Sequence, residues 1–195
     1  MSFIEDFMKQ FGGETASELA SNLGIKKSAA SQMIPQIAPL ILGGLKRQKD
    51  THGGAERVDH ILNKYGSADV LDHIHDMMAE KAHDQNPDPR LGGLLGDSGV
   101  QAAQMIGQKF KLDAGAAAKL IPMISPLILG ALSQKRDKDG AGSSGIAALI
   151  DQDGDGSILD DVGGFLMKGL LGGGGRGSGN VLGSLLGGLF GGKRR

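Results

Sequence analysis

One twelve-residue run occurs twice in this chain. Residues 34–45 read IPQIAPLILGGL and residues 121–132 read IPMISPLILGAL, 87 positions apart with both prolines in register. The flanks follow at the same spacing: Leu19 pairs with Ile106, Leu23 with Phe110, Ile25 with Leu112, and Ala29–Ala30 with Ala116–Ala117. Further on, one inserted residue brings ILNKYGSADVLDHI (61–74) onto LIDQDGDGSILDDV (149–162). A pattern that recurs at fixed spacing predicts a duplicated supersecondary unit, here helical and about 60 residues long.

The fold class expected is all-α. Apolar residues recur at helical steps, and no stretch alternates with period two. Helices are expected over about 2–11, ending at Gly12–Gly13, and about 15–23, ending at Gly24. A short piece from Ser28 precedes a proline-marked helix over about 35–48, whose apolar residues nearly encircle it. Two more follow at 55–65 and 69–84, around Gly66. DQNPDPRLGG (84–93) has the prolines, charges and glycines of a linker. The organisation expected is therefore two similar helical bundles: a first unit at 1–84, a linker at 85–97, a second unit at 98–171, and a Gly-rich flexible tail at 172–195.

Composition narrows the function classes. The chain has no cysteine, which removes disulfides, thiolate metal sites and cysteine catalysis. Six Phe, one Tyr and no Trp leave the core to Leu, Ile, Ala and Met. A formal net charge of −1 provides no overall field to draw in nucleic acid, so no nucleic-acid partner is expected. MSFIEDFMKQF lacks the basic start and apolar run of a signal peptide, and the apolar run at 34–45 is shorter than the ~18–20 residues that span a bilayer. The expected location is cytoplasmic.

One stretch carries chemistry. In DQDGDGSILDDV (151–162), Asp151, Asp153 and Asp155 occupy positions one, three and five of an EF-hand-like loop, Gly156 the sharp turn at six, and Ile158 the apolar eighth position. Alternate residues of a tight loop converge their oxygens on one hard cation, and without a cation three close carboxylates repel each other. Ser157 would offer its carbonyl and Asp161 a closing carboxylate. The motif is broken at position twelve, where Val162 replaces the bidentate Glu, which weakens calcium affinity and admits magnesium. A purely structural reading competes: Ser157 as N-cap, with Asp160 completing a capping box. It leaves the alternating carboxylates unexplained, so metal binding is preferred. The first half has Asn63, Tyr65 and Ser67 at the matching positions, so only one site is expected.

The repeated IPxIxPLILGxL run, the DQDGDGSILDD loop and the LLGGLFGG-type end together resemble a bacterial family known only as domain of unknown function 937, over roughly residues 15–192. The resemblance implies a helical bacterial protein and no activity.

No GxSxG, P-loop, HExxH or dinucleotide-binding glycine pattern is present, so no catalytic residue is expected and an enzyme stands as the remote alternative. His52, His60, His73, His75 and His83 are spaced as solvated surface residues. Lys46-Arg47-Gln48-Lys49 and Lys135-Arg136 fall where two buried helices end, and positive charge there opposes the helix dipole. The reading is of a calcium-binding structural or interaction protein without catalytic activity. In the tail, Leu182, Leu185, Leu186, Leu189 and Phe190 would share one helical face, and Gly183, Gly187 and Gly191 lie four apart. Homo-oligomerisation through this tail is the partner expectation. The alternative function is a helical protein with no metal that self-associates or docks on a membrane surface through this tail, and with three terminal charges the membrane contact would be weak.

Overall fold

A computed structural model describes residues 2–138 and 142–152, and every regular element among them is helical, with no strand. Helix α1 (Phe3–Gln10) opens with a reciprocal cap: the Glu5 amide donates to Ser2 Oγ at 3.2 Å, and the Ser2 amide to Glu5 Oε2 at 3.0 Å. It buries Phe3 and Phe7. Helix α2 (Gly12–Leu23) starts at the glycine expected to end α1 and stops at Gly24, whose φ of 64° is the left-handed C-cap that glycine accepts without strain. Helices α3 (Lys27–His52) and α4 (Gly54–Tyr65) follow, then a 3-10 turn (Ala68–Leu71) and α5 (Ile74–His83). A short 3-10 segment at Leu91–Gly93 leads into α6 (Asp97–Phe110), α7 (Ala114–Lys138) and α8 (Gly142–Gln152).

The break expected between Ser28 and Pro35 is absent. Helix α3 runs through Pro35 and Pro39, and α7 through Pro122 and Pro126. A proline inside a helix removes a donor and crowds the carbonyl four residues back, at a cost of ~3 kcal/mol in an isolated helix. Here burial outweighs that preference. In α7 every residue from Leu120 to Ser133 except Pro126 is buried, and α3 buries Leu40 to Leu45 without a gap. Fully burying one Leu or Ile contributes about 1.5–3 kcal/mol, so the six buried in α3 and the seven buried in α7 carry each helix through its two unfavourable positions. Helix α7 is long and apolar enough to cross a membrane, but its apolar surface is spent on the protein core.

The two halves do not keep separate cores. One continuous apolar cluster takes Leu19, Ile37, Ile41, Leu62 and Met78 from the first half together with Ile106, Leu120, Ile124, Ile128 and Ile150 from the second. Helix α7 packs against α2, α3, α4 and α5, and α8 against α3 and α4, so the second half's helices are interleaved with the first's. The expected linker, 85–97, also enters the core: Leu94 and Leu95 are buried, and the Leu94 carbonyl accepts a hydrogen bond from Arg47 Nη2 at 2.6 Å. Periodicity reported which faces are apolar, and only packing decides which helix covers them.

Helix bounds repeat with the sequence. Moved by the spacing of the repeated run, 27–52 falls on 114–139, against an α7 of Ala114–Lys138, and 12–23 falls on 99–110, within α6. With the one inserted residue, 54–65 falls on 142–153, against an α8 of Gly142–Gln152.

Candidate metal site and the matching junction of the first half

Helix α8 is anchored by Ile146 and Ile150, both buried against the core, and it carries the chain to the start of the candidate loop. Asp151 lies in its last turn. Asp153, Asp155, Ser157 and Asp161 lie outside the described residues, as does the Gly-rich tail. The five candidate ligands are therefore not seen brought together. Among the described residues no group of three or more His, Asp or Glu is placed to hold a metal ion.

The matching junction after α4 is described, and protein contacts hold it. Asn63, in register with Asp151, accepts a hydrogen bond on Oδ1 from Arg136 Nη1 at 2.8 Å. The same nitrogen lies 2.6 Å from Asp59 Oδ1, and Arg136 Nε donates to Asp137 at 2.9 Å. With a side chain only 15% exposed, Arg136 is a clamp between α7 and α4. The Asp137 hydrogen bond, reinforced by Asp59, raises its pKa above the usual value against the opposing effect of burial. Tyr65, in register with Asp153, points away: it is 56% exposed, with Lys64 Nζ 5.1 Å from its ring centre. Ser67, in register with Asp155, accepts the Asp69 amide on its hydroxyl at 3.3 Å and so caps the 3-10 turn.

Two glycines let this junction sit close to α7. A Cβ on Gly66 would lie 2.8 Å from the Leu129 carbonyl oxygen. One on Gly130 would lie 2.7 Å from the Ser67 carbonyl oxygen and 2.8 Å from Val70 Cγ2. Helix and turn meet backbone to backbone.

The sequence reading missed the Arg136 clamp, having assigned that charge to helix termination alone. The available signal was Asp59 and Asn63, four residues apart and therefore on one face of α4. Three histidines have local partners and a fourth has a distant one: His52 Nδ1 lies 2.5 Å from Thr51 Oγ1, His73 Nδ1 3.1 Å from the Asp69 carbonyl, His83 Nδ1 2.7 Å from the Ala79 carbonyl, and His75 Nδ1 2.8 Å from Glu18 Oε2. The last joins α5 to α2. Its hydrogen bond raises the His75 pKa, aided by the charges of Glu18 and Asp76 and opposed by a little desolvation. Of the charges that end α3, Lys46 pairs with Asp50 at 2.7 Å, and Lys135 at the end of α7 lies 3.7 Å from Asp6.

Grooves among the described residues are shallow. One of about 270 Å³ between α6 and α7 is lined by Val100, Ala103, Gly107, Leu112 and Ala117. Another of about 200 Å³ lies between α1 and α7, beside Phe3, Phe7 and Phe11. Neither joins a nucleophile to a base.

The architecture is thus an all-helical protein built on one apolar core. The chain belongs to the family described as bacterial protein of unknown function (DUF937), which it matches over residues 5–135. That span runs from α1 to near the end of α7 and stops short of residues 151–161 and the tail, a narrower reach than the 15–192 expected. No curated protein and no solved structure matches the chain.

Proposed function

We propose that this is a calcium-binding helical protein with a structural or interaction role and no catalytic activity, its single site formed by Asp151, Asp153, Asp155, Ser157 and Asp161. The observation that carries the reading is that α8 leads directly into the run of alternating carboxylates. Ile146 and Ile150 fix the entering helix, and carboxylates at alternate positions begin in its last turn. The helix–turn–helix frame of the matching junction supports it, since Val70 and Leu71 there stand where Ile158 and Leu159 stand here. Three carboxylates in the turn replace the neutral Asn63, Tyr65 and Ser67, and a cation would offset the repulsion this creates. Magnesium is the competing occupant, because no bidentate Glu closes the sphere.

We also read the two halves as copies of one duplicated unit, supported by the recurring helix bounds. The tail, with its glycine row and apolar face, is proposed to mediate self-association of the protein.

Isothermal titration of the full chain with calcium and with magnesium tests the metal reading. Heat on calcium addition and a melting temperature raised by millimolar calcium are expected, and Asp153→Ala and Asp155→Ala should abolish both. Changes at Asn63 or Ser67 should leave them in place. Absence of heat and of any thermal shift overturns the reading.

A further inference from the structure

We infer that Lys49, at the end of α3, sets the calcium affinity of the proposed site: its charge balances the carboxylates while the site is empty and opposes the cation that fills it. The inference deepens the metal reading and rests on it.

In the first half the corresponding charge is Arg136, near the end of α7. Its side chain is 15% exposed and bonds to Asp137 on its own helix and to Asp59 and Asn63 on α4. Lys49 stands at the same register on α3. Its side chain is 14% exposed and lies 3.6 Å from Asp50, which stands where Asp137 stands. The neighbouring helix repeats as well. Helix α3 packs against α8 as α7 packs against α4. Buried Ile146 and Ile150 on α8 stand where buried Val58 and Leu62 turn α4 to the core. Position 151 therefore falls on α8 where position 63 falls on α4.

The acceptors differ. Ala147 takes the place of Asp59, and Asp151 that of Asn63. Of the two positions that hold Arg136 on α4, α8 keeps a polar group at one, and it is the first carboxylate of the candidate loop. The other cations near the end of α3 have partners there: Lys46 pairs with Asp50 at 2.7 Å, and Arg47 donates to the Leu94 carbonyl. A lysine at this register has two consequences. Its ammonium is one compact charge with no fork to bind two acceptors, so a divalent cation can replace it as the counter-charge. Its half-buried stem then keeps the displaced charge near the helix end. A unit charge held within a Debye length of a divalent ion lowers that ion's affinity by roughly three- to tenfold.

Calcium titration of the full chain, with melting in chelator alongside, tests this. Lys49→Gln should bind calcium about three- to tenfold more tightly than the wild type, yet melt at a lower temperature in chelator. Lys49→Met, which keeps the aliphatic stem, should do the same, and Lys49→Arg, which keeps the charge, should retain wild-type affinity. Lys27→Gln is the control: it removes the same charge from the other end of α3, ~33 Å away at 1.5 Å per residue, and should change neither reading. A role confined to holding α3 against α8 predicts the opposite sign, weaker binding in Lys49→Gln and Lys49→Met. Equal or weaker binding by both variants, with heat from the wild type, overturns the inference and leaves the metal reading standing. No heat from the wild type or either variant overturns both.

Discussion

The sequences of the junction after α4 and of the stretch after α8 share an apolar pattern and differ in the polar residues set within it. In the first, Asn63 is bound by Arg136, Tyr65 faces solvent, and Ser67 caps the next turn. In the second, the same positions hold Asp151, Asp153 and Asp155, and Lys49 stands in the register of Arg136, 3.6 Å from Asp50. Positions one and three of the first junction both lie in α4, about 200° apart around the helix axis, so their side chains diverge. A metal site in the second junction therefore needs the helix to end sooner, and α8 is described only to Gln152. The comparison shows that one helix–turn–helix frame can be closed by protein partners, and it isolates the change a cation would require.

Breaking the fit between helix and turn should have the largest effect on this comparison. Gly130→Ala drives a methyl into the Ser67 carbonyl and Val70 and should cost about 1–3 kcal/mol in urea unfolding. Gly13→Ala, with nothing within 4 Å of its Cβ, should cost nothing and serves as the control. An unchanged midpoint for Gly130→Ala would show that the contact yields easily.

A smaller effect separates the caps of α2 and α6. Gly24 and Lys111 end these helices at φ values of 64° and 58°, so a side chain sits in left-handed backbone in one half only. Lys111→Gly should gain up to about 1 kcal/mol, while Gly24→Lys should lose a similar amount. Equal and negligible changes would mean that the Lys111 conformation carries no strain.

The smallest effect belongs to His75, whose side chain is largely exposed. Its folded pKa lies above 6.5, so its pairing with Glu18 contributes fully below that pH. The contribution is lost as pH rises through the raised value. Stability should therefore fall slightly just above pH 6.5, and His75→Gln should flatten that slope. A variant that keeps the wild-type slope would assign it elsewhere.

The sequence displayed the helical class, the Gly24 stop and the encircling apolarity of the proline-marked helix, because these are set within a few residues. It did not display the continuity of α3 through Pro35, which depends on neighbours that bury Met33, Ile34, Ile37 and Ala38 on either side of it. Nor did it display Leu94 and Leu95 as core, since the prolines and glycines around them read as a tether. The candidate site was legible as a pattern of carboxylates alone. Whether such residues converge depends on where the helix before them ends, which a spacing of carboxylates does not set.

The four prolines within α3 and α7 also set a clock. All four follow trans peptide bonds in the folded protein. In an unfolded chain each such bond is cis in about 10–30% of molecules, so roughly a third to three-quarters of the chains leaving denaturant carry at least one wrong isomer. Isomerisation takes tens of seconds at 25 °C. Because α3 and α7 are the two longest helices and share one core with the rest, a single wrong bond in either delays the whole molecule rather than one half of it. A prolyl isomerase should therefore speed the slow phase of refolding from denaturant.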